Sequence, residues 1–363
     1  MAITRITTAN AIADSSVQNI KMSNIVQSKN IIINGDMSLA QRATSTSSIT
    51  SSNYYTVDRF RTSYDTAGTW TQSQATDVPT GQGFATSFKM DCTTANGSLS
   101  AGSFLAIQSK FEGQNLQYLK KGTSSAESLT LSFWVKSNKT GTYIANLYDA
   151  DNNRYIAKSY TISSANTWEK KTLTYAGDTS GAFGNDNATS LELKFILAAG
   201  TNYTSGTLAT SWQSATNANT AVGQVNLADS TSNEWYVTGV QLEAGTTASE
   251  FEFLPADVNL QRCQRYFEKV DTYEGIVVSC YNTTDSYGSF QYMVEKRATP
   301  TISISGTTTL YTNNSARSGT LTAQNIKIER FNSKFTSTGL GAGNAGHYAN
   351  TSGTNNITIS SEL

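Results

Sequence analysis

Histidine is almost missing from this chain of 363 residues: His347 is the only one. No Cys or carboxylate stands beside it, so neither a metal-ligand cluster nor a Ser-His-Asp arrangement can form around it, and histidine-based catalysis has no constellation to work with. Cysteine is scarce and odd in number. Cys92, Cys263 and Cys280 lack metal-ligand spacing, which argues against a disulfide framework and leaves three buried thiols as the expectation. Charge is also thin, at 15% of residues against a usual share of about 25%. The 26 basic and 27 acidic side chains nearly cancel to −1, so no long-range field draws the chain to nucleic acid. Nowhere do about 18 apolar residues run together, which excludes membrane insertion by a helix, and residues 1–26 hold no apolar run suited to a signal peptide. No internal repeat of the period needed for a long β-helix is present.

What remains is rich in Ser, Thr, Asn and Gly, with 18 tyrosines. Thr and Tyr sit well on pleated, half-buried faces, so the chain reads as mainly β. Its length exceeds the roughly 250–300 residues at which single cores split, which implies two domains and tails. Residues 1–29 are polar and without sustained period, and read as an N-terminal attachment arm. From residue 30 short alternating stretches follow, as in a sandwich. Leu129, Leu131, Phe133 and Val135 share one strand face, with Trp134 turned away; Leu191, Leu193, Phe195 and Leu197 share another, and Val240 and Leu242 a third. Further strands are expected at 31–33, 56–62, 87–91, 143–148, 155–162 and 171–175, with Asn152-Asn153 as a hairpin turn. A short helix is expected within 113–122, on the spacing of Leu116 and Leu119.

A second helix is expected over 255–270, where Leu260, Cys263, Phe267 and Val270 form one apolar stripe suited to an oligomer seam or, equally, to packing beneath a sheet. It marks the end of a domain over 30–254. The remaining 271–363 read as a small β-rich module with little core of its own, with strands near 275–281, 286–293, 301–305, 325–331 and 356–360. Gly339 to Gly346 reads as a flexible loop. Asp149-Ala150-Asp151 lacks the distal Glu of a calcium loop and reads as a solvated turn. No carboxylate pair stands out for glycoside hydrolysis. Aromatic rings are the more distinctive chemistry, because flat amphipathic rings stack on the C–H faces of sugars. Tyr54, Tyr55, Trp70, Tyr143, Tyr148, Tyr203 and Trp212 are the glycan-contact candidates, with filling of the sandwich or of a seam between subunits as the alternative for each, while Trp134 and Trp168 read as structural.

Several segments taken in order carry a family likeness: Asn30-Ile31-Ile32-Ile33-Asn34-Gly35-Asp36-Met37, Ala40-Gln41-Arg42, Tyr55-Thr56-Val57-Asp58-Arg59-Phe60, Leu131-Ser132-Phe133-Trp134-Val135-Lys136-Ser137 and Ala165-Asn166-Thr167-Trp168-Glu169. They continue with Tyr236-Val237-Thr238-Gly239-Val240-Gln241-Leu242-Glu243-Ala244-Gly245, Cys263-Gln264-Arg265-Tyr266-Phe267, Arg297-Ala298-Thr299-Pro300-Thr301 and Ser361-Glu362-Leu363. Together these resemble tailed-bacteriophage virion proteins that carry a jelly-roll domain of carbohydrate-binding-module type. The resemblance implies a jelly-roll β-sandwich, then a short helix and a small β-rich C-terminal module, in a non-enzymatic tail fibre of the virion. Its implied partners are other phage tail proteins through the arm, copies of itself as a homotrimer, and host-surface polysaccharide. Asn34, Asp36 and Glu243 match segments near a structural calcium in related jelly rolls, but the acidic cluster is incomplete, and neither metal nor cofactor is expected. A tail adaptor, nozzle or head-decoration protein is the alternative, and a depolymerising glycosidase the more distant one.

Overall fold

The computed structural model describes residues 29–270, 274–306, 308–313, 315–349 and 356–363. The arm expected over 1–29 lies, apart from Lys29, outside the described residues. Residues 45–244 form a mainly β, two-sheet sandwich. One sheet has six strands, in the order Ser45–Ile49, Thr69–Ala75, Ser87–Thr94, Glu234–Ala244, Leu129–Ser137 and Glu169–Tyr175. The facing sheet has seven, in the order Gln213–Ser214, Arg154–Ile162, Gly141–Asp149, Thr189–Ala199, Phe104–Glu112, Arg61–Asp65 and Asn53–Tyr54. Neighbours in space come from distant parts of the chain, as when Val237 pairs with both Phe88 and Val135.

Alternation decides which side chains enter the sandwich. Leu131, Phe133 and Val135 point inward and are fully buried, as are Leu193, Phe195 and Leu197 from the opposite sheet. Phe133 meets Phe195 edge-on at 4.9 Å between ring centres, and Phe195 lies 5.8 Å from Trp235. Each such side chain contributes roughly 1.5–3 kcal/mol by leaving water.

Local expectations were met unevenly. The hairpin at Asn152-Asn153 joins strands Gly141–Asp149 and Arg154–Ile162, with Asn153 in the left-handed region. Residues 31–33 are not a strand but an irregular segment. Ile32 is buried in the core while Ile31 and Ile33 stay half-exposed, and Gly35 packs so close to the Val240 carbonyl that a Cβ would collide with it. Over 56–62 only the end is strand, from Arg61. The helix expected within 113–122 is two 3-10 turns, Gly113–Asn115 and Gln117–Leu119, which bury Leu116 and Leu119 before Lys120 turns left-handed.

The second helix runs only over Ala256–Gln264. Phe267–Val270 is instead a strand, paired with Ile357–Ser360, which in turn pairs with Thr301–Ile304. The stripe Leu260, Cys263, Phe267, Val270 therefore belongs to two elements and is not one helix face. Its periodicity misled because the partner strand lies about 90 residues away in sequence. Beyond it, strands Glu274–Cys280, Asp285–Gln291, Arg330–Thr336, Ser315–Gln324, Thr308–Thr312 and Ala345–Ala349 close into a barrel. This module has a core of its own, with Leu310, Phe331, Phe335 and Tyr348 buried inside, so the expectation of little core is corrected. Closure removes the open edges that such short Ser/Thr-rich strands would otherwise expose. His347 lies on a barrel strand and stacks on Tyr311 at 5.4 Å, not in a flexible loop.

The sandwich meets the end of the helix and the three-stranded sheet in a polar joint. Arg59, buried, ion-pairs with Glu362 and lies 3.5 Å over the Tyr266 ring. The Arg42 guanidinium bonds Asp58 at 3.4 Å and Glu362 at 3.0 Å and covers the Phe267 ring at 3.6 Å. Arg265 grips Glu112 through two N–H bonds of 2.9 and 2.8 Å. Most of the ordered motifs of the sequence converge here. Phe267 and Cys263 are thus buried by their own chain, as packing beneath a sheet requires, and do not present a face to a second copy.

Candidate functional site: an aromatic recess on the six-stranded sheet

With Leu131, Phe133 and Val135 inward, the pleat turns Ser132, Trp134 and Lys136 to the outer face of the six-stranded sheet. Cross-strand register sets Trp134 opposite Thr238 on one side and Lys170 on the other, and Ser132 opposite Gln241. The ladder is interrupted between Thr238 and Gln241, where Gly239 takes a φ of 62° that a side chain would strain. The missing side chain makes room for the Phe84 ring, which lies directly over Gly239. Phe251 and Phe253 arrive from the loop after the last sandwich strand. The three rings form a triangle with centres 4.8–5.1 Å apart. Phe253 remains 50% exposed. Between this triangle and Trp134 lies a recess of about 290 Å3, also lined by Gln82, Ser132, Lys170 and Glu250. Its volume is at the small end for a ligand pocket, and aromatic walls with a few polar groups are the usual composition of one.

Along the same face the recess continues as a charged and aromatic row. Lys89 stands opposite Tyr236 and Tyr236 opposite Lys136. Lys136 ion-pairs with Asp77, and its ammonium lies 4.4 Å from the Tyr236 ring centre and 5.6 Å from that of Trp168. The Trp168 indole N–H donates to Asp77 at 2.9 Å. Partial burial works to raise the Asp77 carboxyl, but the bonds from Lys136 and Trp168 outweigh it and hold the group below its ordinary range. The same balance holds Glu234 low, through Lys89 and Tyr236. Desolvation, reinforced by Glu234, pushes the Tyr236 hydroxyl up to about 12. Asp77 and Glu234 are therefore carboxylates at neutral pH, and Tyr236 keeps its proton. The row offers donors, acceptors and ring faces.

The rings singled out from sequence lie elsewhere. Trp70 and Tyr143 are fully buried, and Tyr54 is buried beside Leu363 with its hydroxyl 3.4 Å from that carbonyl, so none offers a face to a sugar. These expectations are corrected: strand alternation sends Trp70 and Tyr143 into the sandwich core, and Tyr54 is covered at the joint by the Arg42 guanidinium. Tyr55, Tyr148, Tyr203 and Trp212 are half-buried and scattered. Tyr55 bonds Ser51, Tyr148 lies under the Lys194 ammonium, Tyr203 packs on Phe104, and the Trp212 N–H donates to the Ala176 carbonyl. Trp134, read as structural, lines the recess instead. Its outward position on a strand whose inner face was already full was the available signal. Phe84, Phe251 and Phe253 carried none, since only folding brings their loops together.

Asp149 is not a solvated turn residue. It is fully buried and holds the Lys121 ammonium at 2.5 Å. Asn34 and Glu243 spend their oxygens on backbone and side-chain donors, and Asp36 accepts from Ser38 at 3.0 Å. Among the described residues no group of three or more His, Cys, Asp or Glu could hold a metal ion, and no helix is long and apolar enough to cross a membrane. Cys92, Cys263 and Cys280 are buried free thiols.

No protein-family model and no curated protein sequence matches the chain. Among solved structures it is similar to the enzymatically active domain of bacteriophage CBA120 tailspike protein 4, at 15% identity over 60% of this chain and TM-score 0.32. It spans only 21% of that tailspike chain. It is also similar to the carbohydrate-binding module TmCBM61 in complex with β-1,4-galactotriose, at 9% identity over 60% of this chain and 99% of that one, TM-score 0.31. The tandem CBM22-1-CBM22-2 domain of Paenibacillus barcinonensis Xyn10C matches at 10% identity over 83% and 93%, TM-score 0.26. At such scores the sandwich assignment rests on the strand order and register described above.

Proposed function

We propose that this chain is a non-enzymatic structural component of a phage virion, a tail fibre that attaches through residues 1–29 and holds host-surface glycan in the recess beside Trp134. The recess is the observation that carries this reading. It combines four aromatic side chains with Ser132, Gln82, Lys170 and Glu250, the mixture of flat apolar faces and hydrogen-bonding groups that a sugar ring presents in complement. The ordered sequence motifs support the virion assignment. Repetition of the fibre around a tail would turn weak single contacts into firm adhesion, since tethering makes later contacts intramolecular.

Trp134→Ala should weaken binding to purified host polysaccharide by ten-fold or more, as expected for a tryptophan contributing about 2 kcal/mol at a contact centre. Undiminished binding by a folded variant would remove the recess from the reading. A second reading, an adaptor or decoration protein packed among neighbours, draws on the barrel, where Val277, Tyr281 and Met293 are each about three-quarters exposed. An electron cryo-microscopy map of the particle separates the two. The fibre requires the recess to face solvent, and the adaptor requires the barrel wall to be covered.

A further inference from the structure

Beside the joint, between the sandwich and the end of the helix, lies a second concavity that the recess does not touch. It is a cleft of about 530 Å3, well within the range of small-ligand sites. Its floor is apolar: the half-exposed Ile31 and Ile33 face it, because Ile32 is the member of that run that enters the sandwich core. One wall is the pair of 3-10 turns, which bring Gln114, Asn115 and Tyr118 to the cleft, all three exposed and Tyr118 at 43%. The other wall is the end of the helix, with Arg262 and Arg265.

Glu112 makes this a built arrangement. Its carboxylate is fully buried and accepts from Arg265 Nε and Nη2, from Gln114 Nε2 at 2.6 Å and from the Tyr266 hydroxyl at 2.5 Å. One anchor thus orients lining side chains from the 3-10 turns and from the end of the helix. Gln114, having given its amide N–H to Glu112, keeps its carbonyl oxygen as an acceptor, and Arg265 keeps N–H donors on Nη1. An apolar floor beneath a rim of planar amide, guanidinium and phenol groups matches a molecule with hydrophobic C–H faces and a periphery of hydroxyls.

We propose that this cleft is a second saccharide site, holding a short oligosaccharide with its ring faces on Ile31, Ile33 and Tyr118 and its hydroxyls on Gln114, Asn115 and Arg265. The inference rests on the glycan-contact reading and extends it to a site that only the docking of the helix end on the sandwich creates. The test is an array of purified bacterial surface oligosaccharides probed with the full chain, with Tyr118→Ala, with Gln114→Ala and with Trp134→Ala. Calorimetric titration of the best binders follows. Tyr118 and Gln114 are exposed, and unchanged circular dichroism checks that their variants fold. The proposal expects a class of sugars whose affinity falls ten-fold or more in Tyr118→Ala and Gln114→Ala but survives Trp134→Ala. If every sugar bound by the full chain is lost in Trp134→Ala and none is weakened in the other two, the cleft proposal is overturned while the glycan-contact reading stands. If the full chain binds no sugar on the array, both fall.

Discussion

Lys121 shows how one side chain can settle what a stretch of sequence means. Asp149-Ala150-Asp151 looks like a surface turn until Lys121 arrives from the 3-10 segment. Its ammonium then sits 2.5 Å from Asp149 Oδ2, 3.1 Å from Asp178 Oδ2, and 3.0 and 2.7 Å from the carbonyls of Ser180 and Gly181. The Phe183 and Trp212 rings flank it at 5.1 and 5.4 Å. Arg154 holds the other side of Asp178, and although burial works to raise that carboxyl, these partners keep it low. Removing the ammonium leaves two buried carboxylates facing one another. Lys121→Met should therefore cost about 3–5 kcal/mol, the range for breaking a buried pair by deleting one partner. Thermal denaturation should register this as a fall of roughly 10 °C. A shift of a degree or two would mean that water enters the cage and screens it.

Among the elements, the segment from Ala256 to Val270 departs furthest from its sequence pattern. Spacings of three and four among Leu260, Cys263, Phe267 and Val270 would make one helical stripe if helix continued. Pairing of Phe267 with Ser360 and of Val270 with Ile357 ends it. The ring of Phe267 then lies under the Arg42 guanidinium, inside the joint, where a carboxylate would be buried beside Glu362. Phe267→Asp should consequently loosen the barrel from the sandwich and lower stability by about 3–5 kcal/mol, the cost of losing a buried phenylalanine. Limited proteolysis should gain a cut near residues 255–266, and light scattering should report an unchanged particle mass. A fall in mass would restore this segment as a seam between subunits.

The whole molecule is held together by that joint, and its charges give it a pH dependence. Asp58 lies beneath Gln41 and Arg42, with Glu362 facing it across the joint. Burial is the main reason that its carboxyl is raised to about 6, with repulsion from Glu362 adding to it and Gln41 and Arg42 opposing. A raised carboxyl binds more proton in the folded state than in the unfolded one. Its stabilisation is complete below the ordinary value near 3.8 and is lost as pH rises through about 6. Glu112 runs the other way: burial would raise it, but the bonds from Arg265 and Tyr266 depress it, so its contribution is lost only in stronger acid. Urea denaturation across pH 4 to 6 should show wild-type stability declining with pH more steeply than Asp58→Asn. Equal slopes would mean that Asp58 is solvated and the joint is open.

The β class, the inner faces of the three main strands, the hairpin at Asn152-Asn153 and the buried thiols were legible without coordinates. Each depends on a residue and its near neighbours: alternation assigns a face, and Asn tolerates positive φ. Trp134 was legible in part, since alternation placed it outward without saying that anything awaited it there. The recess, the Lys121 cage, the barrel and the joint were not legible. Phe84 meets Phe251, Lys121 meets Asp178, Val270 meets Ile357 and Arg59 meets Glu362 across separations that no local period encodes. Alternation along the chain settled which faces of the main strands leave water. The burial of Trp70, Tyr143 and Asp149, and the partners they meet, came from the folded molecule, because burial is non-directional and the choice of partner belongs to packing and hydrogen bonding in the assembled chain.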